Sequence, residues 1–152
     1  MVRITAKVDY AVRAAAELAA APPGPMKGDL LADRQRIPAK FLENILADLR
    51  RAGLVASQRG AEGGYWLAVP PAEVSVADII RAVEGPLADV HGTSPEAVEY
   101  PGPATALQRV WVATRAALRS VLEEVSLADI VSGTLPQGAE RHLDVPDAWS
   151  RR

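Results

Sequence analysis

Between Ile37 and Leu67 the chain reads IPAKFLENILADLRRAGLVASQRGAEGGYWL, a helix-period apolar pattern that stops at a glycine and passes at once into a strand-period one. Phe41, Leu42, Ile45, Leu46 and Leu49 recur at the spacing that gathers side chains on one face of an α-helix, so this face needs a core to cover it. Lys40, Glu43, Asn44 and Arg51 fall on the opposite face, with Ala47 among them too small to obstruct whatever lies against it. Gly53 stands where a helix C-terminus favours a residue tolerant of positive φ, and Leu54 to Ser57 resumes with strand-like residues. Residues 58–64 then supply a glycine-bearing tip with Arg59 at its base, and Tyr65-Trp66-Leu67 returns as the second strand of a hairpin. A half-buried helix beside a thin hairpin suits a duplex groove, the helix reaching base edges and the hairpin the phosphate backbone.

The flanking sequence completes a helix-turn-helix. A first helix is expected from near Thr5 to Ala20, burying Val8, Ala11, Val12, Ala15, Leu18 and Ala19, and Pro22-Pro23-Gly24-Pro25 ends it. A second is expected over Lys27 to Asp33, weakened by Gly28, and Pro38 suits the first turn of the third, the reader. Ser75 and Asp78 form an S-x-x-D cap for a fourth helix ending by Gly85. Residues 86–103 hold four prolines and two glycines and read as a loop. From Ala104 to Val125 a long helix is expected, with Leu107, Val110, Trp111, Thr114, Leu118, Val121, Leu122 and Val125 in a nearly heptad stripe. Ser126 to Asp129 caps a short helix through Val131, and the tail from Thr134 is expected to be ordered only by packing or a partner. The expected fold is therefore mainly α with a small β-wing. It divides into a winged helix-turn-helix over 1–85, a loop or sensor region over 86–103, a dimerisation helix with its short successor over 104–132, and a tail over 133–152.

A net charge of -2 conceals an asymmetry. Residues 1–71 carry ten Lys/Arg against seven Asp/Glu, whereas residues 72–152 carry seven against twelve, which suits a basic nucleic-acid face joined to an acidic dimer or sensor part. No apolar run reaches membrane-spanning length and the N-terminus lacks a signal-peptide pattern, so no membrane partner and a cytoplasmic location are expected. Cysteine is absent, which excludes disulfides and any thiolate metal site. Two distant histidines, without a phosphate-binding glycine motif or a clustered acid–base set, argue against an enzyme, and no catalytic residue is assigned.

Several runs carry a family resemblance: Asp9-Tyr10-Ala11-Val12-Arg13, Ile37-Pro38 with Phe41-Leu42, Leu49 to Val55, Arg59-Gly60, Gly63-Gly64-Tyr65, and Ile79 to Gly85. With these the chain closely resembles the IscR/NsrR/CymR-type winged-helix transcription regulators, the Rrf-two family, as a cysteine-less member, over residues 1–85 and more weakly to about 132. The resemblance implies a DNA-binding regulator, with base-edge or phosphate contacts at positions matching Lys40 and Glu43 and a dimer built by the long helix. Many relatives carry three cysteines in the loop; here there are none, so no iron–sulfur cluster, no other cofactor and no metal site are expected.

The candidate DNA contacts are Lys40, Glu43, Asn44 and Arg51 on the third helix, Arg59 in the wing, and Tyr10 and Arg13 on the first helix. Glutamate can accept from cytosine N4, while Lys40 and Glu43 can equally form an exposed i,i+3 pair. Arg59 is either a phosphate or minor-groove contact or a solvated turn residue, and Tyr10 either touches phosphate or packs against the third helix. The stripe Leu107, Val110, Trp111, Leu118, Val121, Leu122 and Val125 either closes the monomer's core or pairs with its copy, and a homodimer would match a palindromic double-stranded operator. A small-molecule effector could stack on Trp111 beneath the loop that holds His91, although packing explains Trp111 and an ordinary loop position explains His91. The leading expectation is a sequence-specific regulator, a repressor, answering to a small molecule or partner. The alternative is a winged-helix protein–protein interaction module without sequence-specific DNA binding.

Overall fold

The computed structural model describes residues 3–151 as seven helices and one hairpin. Helix α1 (Ala6–Ala20) begins where the Thr5 hydroxyl accepts from the Val8 N–H at 3.2 Å. Its alanines Ala11, Ala14 and Ala15 have no exposed surface, and this smooth face lets several helices approach it closely. Helix α2 (Gly28–Gln35) ends at Arg36, whose left-handed conformation (φ 52°) turns the chain so that the Ile37 N–H closes on the Ala32 carbonyl at 2.9 Å. Helix α3 (Ala39–Arg51) follows with Pro38 just outside its first turn as the N-cap. Strands β1 (Val55–Gln58) and β2 (Gly64–Leu67) pair antiparallel, with Val55 opposite Leu67 and Gln58 opposite Gly64.

Helix α4 (Val76–Glu84) opens on the expected capping box, Ser75 and Asp78 exchanging side-chain to backbone bonds of 3.0 and 3.1 Å. The loop after it contains two single 3-10 turns, at Pro95–Ala97 and Gly102–Ala104. Helix α5 (Leu107–Leu122) is shorter than the periodicity suggests, because the Gly102-Pro103 turn occupies its expected start. Its expected end is claimed elsewhere: the Val125 carbonyl accepts from the Val76 N–H at 2.9 Å, and the Leu127 N–H donates to Val74 at 2.9 Å. These bonds aim α6 (Leu127–Ser132), which has a second capping box at Ser126 and Asp129, back onto α1. The tail is ordered by packing, as α7 (Gln137–Leu143) lies on α5 with Ala139 buried.

Leu31, Leu42, Ile45, Leu46, Leu49, Val74, Ile79 and Leu127 are fully buried around the α1 alanines, and among the described residues no polar or charged side chain is buried. At roughly 2 kcal/mol for each large aliphatic side chain removed from water, this shared core holds α3 rigidly against α1 and α4. The face of α3 turned away from that core is thereby presented at a fixed angle. No helix among the described residues is long and apolar enough to cross a membrane.

Candidate nucleic-acid interface

On a helical wheel Leu42, Ile45, Leu46 and Leu49 centre on the buried face of α3, and all four are covered. Phe41, expected among them, lies about 90° from that centre at 3.6 residues per turn. It is 42% exposed, with its ring edge-on to Tyr10 at a centroid separation of 5.5 Å. Lys40, Glu43 and Asn44 lie farther round and are exposed. Lys40 and Glu43 do not pair with each other, and neither they nor Asn44 form a side-chain hydrogen bond or ion pair among the described residues, so their polar groups are free for a ligand.

Arg51 has a partner, the Asp48 carboxylate one turn earlier on the same helix, yet its side chain is 73% exposed and still reaches solvent. The other oxygen of Asp48 meets Lys7 Nζ of α1 at 2.8 Å. The hydrogen bond from Lys7, with the charges of Lys7 and Arg51, outweighs desolvation and holds the Asp48 carboxyl below its ordinary value. This bridge ties α3 to α1.

Tyr10 and Arg13 are brought together for bracing. The Arg13 guanidinium lies over the Tyr10 ring at 5.0 Å, pairs with Asp9 at 3.3 Å, and donates from Nη2 to the Gln35 carbonyl at 2.6 Å. That carbonyl belongs to the last turn of α2, where backbone acceptors lack helical partners. Among the described residues, only Arg13 Nε is a buried side-chain polar atom without a partner.

The hairpin is fastened by residues that sequence reasoning passed over. Met26 and Tyr65 exchange backbone bonds of 2.8 Å each, making the segment before α2 a third element of the wing, and Lys27 Nζ donates to the Gly60 carbonyl at 2.7 Å. The contact requires glycine: a Cβ at Gly64 would lie 2.5 Å from the Met26 oxygen, and one at Gly63 2.1 Å from the Gln58 oxygen. The sequence signal was the pair Gly63-Gly64 itself, a place where two backbones meet. Arg59 is exposed beside this clamped tip and has no partner among the described residues.

Helix α5 has no buried residue. Leu107, Trp111, Leu118, Val121 and Leu122 are half-buried, and Val110 is 50% exposed. Val125, assigned to the same stripe from its spacing, departs from it: it lies beyond the helix and is buried within the chain. Trp111 donates its indole N–H to the Tyr100 hydroxyl at 3.0 Å, while His91 is exposed on a tight turn with φ 52°.

A helix-turn-helix whose second helix turns an unpartnered polar face outward, followed by a clamped glycine hairpin, defines a winged-helix transcription regulator of the DNA-binding type. The chain belongs to the Rrf2 family, described as iron-dependent transcriptional regulators, whose model matches residues 4–133. A Mycobacterium tuberculosis protein named as an HTH-type transcriptional regulator is 51% identical over 143 residues, covering 93% of this chain and 89% of its own. The structure of CymR, the global cysteine regulator of B. subtilis, superposes with a TM-score of 0.73 at 36% identity, covering 88% of this chain and 99% of that one. IscR of T. potens superposes at 0.70 with 33% identity, covering 86% and 87%. These relatives are transcription regulators, not enzymes. The family description names iron, but the donor set does not fit a thiolate-held cluster, since the sequence has no cysteine. Among the described residues no three His, Asp or Glu side chains converge as a metal site.

Proposed function

We propose that the protein is a homodimeric, sequence-specific DNA-binding repressor that reads a palindromic operator with α3 and follows the flanking backbone with the wing. The observation that carries this reading is the outward face of α3, where Lys40, Glu43 and Asn44 are exposed and unpaired on a helix whose other side is locked in the core. Lys40 supplies phosphate or base-edge contacts, Glu43 selects among bases, and Arg59 neutralises phosphate. A homodimer is supported by α5, a sixteen-residue helix with an apolar stripe and no buried residue. Pairing that stripe across a two-fold axis removes it from water and sets two reader helices on successive major grooves. Repression follows from occupancy of the operator, and a small molecule or partner acting on the loop between α4 and α5 releases it.

Selection of bound sequences from a random duplex pool tests the reading. A palindromic consensus bound at least about a thousandfold more tightly than unrelated DNA at fixed salt is expected. Glu43→Ala is expected to relax the consensus while leaving non-specific affinity unchanged. Equal affinity for all duplexes would refute sequence-specific regulation.

A further inference from the structure

Residues 72–152 are acidic overall, yet three of their seven Lys/Arg side chains converge on one cavity. It measures about 280 Å³ and lies between α4, the loop after it and α5. Arg81 enters from α4, and Arg115 and Arg119, one turn apart, enter from α5. Pro86, Leu87 and Ala88 supply an apolar wall, and Asp89 is the one acidic side chain in the lining. The Asp89 carboxylate accepts from the Gly92 N–H at 2.8 Å and so belongs to the turn.

The arginines are held in place by carboxylates outside the lining. Glu96 meets Arg115 at 2.6 Å, and Glu123 meets both Arg81 and, at 3.7 Å, Arg119. Arg81 also lies 3.8 Å from the Asp78 carboxylate one turn earlier on α4. Each guanidinium has five N–H donors in a planar fork, so these contacts, two for Arg81 and one each for Arg115 and Arg119, leave donors directed elsewhere. Arg115 is the most shielded, its side chain 18% exposed, which strengthens its attraction for an anion.

We propose that this cavity is a binding site for a small organic anion, a carboxylate or phosphate on a short carbon stem, held by Arg81, Arg115 and Arg119 with the stem against Pro86 and Leu87. A guanidinium fork matches either anion in bidentate fashion, and the cavity, just under the roughly 300 Å³ at which small-molecule sites begin, suits a small ligand. The inference deepens the proposed regulator and rests on it for its consequence. Glu123 links α4 of the winged unit to α5, and an anion competing for Arg81 and Arg119 loosens that link and shifts α5 against the reader helices.

Calorimetric titration of the full chain with sodium succinate, sodium butyrate and sodium phosphate, each against sodium chloride of equal ionic strength, tests the site. Saturable binding of at least one is expected, weakened about tenfold or more by Arg115→Gln and by Arg119→Gln and unchanged by Arg109→Gln, which alters an exposed α5 arginine outside the cavity. Arg119 is 48% exposed, so its variant keeps the test valid if Arg115→Gln fails to fold. No saturable binding by any of the three, or binding that survives both cavity variants, overturns the site. The bound anion is expected to change affinity for the selected operator by about fivefold or more. Anion binding with unchanged operator affinity overturns the regulatory consequence, whereas failure to select any operator while the anion still binds overturns the regulator reading and upholds the site.

Discussion

Replacing Gly64 by alanine asks how far DNA binding depends on the clamp between the wing and the segment before α2. The added Cβ would lie 2.5 Å from the Met26 oxygen and 2.6 Å from its carbonyl carbon. An ordinary contact begins near 3.4 Å, so the two backbones must separate by about 0.9 Å. Both Met26–Tyr65 hydrogen bonds, 2.8 Å each, are then lost at about 1 kcal/mol apiece. Holding alanine at φ 153°, where glycine is favoured, costs about 1 kcal/mol more. A total near 3 kcal/mol corresponds to a fall in Tm of roughly 6–12 °C for a chain of this size. Gly64 lies in the hairpin and in none of the helices, so far-ultraviolet circular dichroism is expected to keep its helical signal below the transition. Filter binding across several salt concentrations is expected to show weaker affinity and a log–log salt slope shallower by about 0.9, as the displaced tip withdraws Arg59 from the phosphate it is proposed to neutralise. A Tm within about 2 °C of the parent, with an unchanged slope, would refute the clamp.

Arg59→Ala should reproduce the shallower slope with an unchanged Tm, because Arg59 is exposed and unpaired; an identical slope by fluorescence anisotropy removes it from the interface. Val110→Glu alters a residue 50% exposed in the single chain, so the fold should persist while sedimentation shifts from dimer to monomer, and an intact dimer at micromolar concentration would place the interface elsewhere. Asp48→Asn removes the bridge to Lys7 and should cost about 1 kcal/mol near neutral pH. The native Asp48 carboxyl titrates below its unfolded value, so its contribution is present above that value and is lost as pH falls through the lowered one. Denaturant melts of parent and variant should therefore begin to converge as pH falls below about 4 and meet only below the lowered native value, and a constant gap across the acidic range would contradict this.

Cap residues and glycines made most of the helix boundaries and the hairpin readable in the chain alone. Thr5, the Ser75–Asp78 and Ser126–Asp129 boxes, and Gly53 act on backbone groups a few residues away, so their effect is written locally. The outward face of α3 was legible for the same reason, since helical periodicity sorts Lys40, Glu43 and Asn44 from Leu42, Ile45 and Leu46 without knowledge of the covering element. Tertiary structure decided what each surface meets. Arg13 supports the end of α2 because Gln35, 22 residues away, is folded against it, and Phe41 stays half out because it sits at the edge of the stripe beside Tyr10. Val125 is buried because its carbonyl joins the Val76 N–H, a pairing that no period in the sequence announces. The cavity of Arg81, Arg115 and Arg119 likewise exists only once α4 and α5 are set side by side. Periodicity and capping depend on neighbours within a turn or two, whereas partners depend on contacts between residues distant in sequence, which only the packed chain brings together.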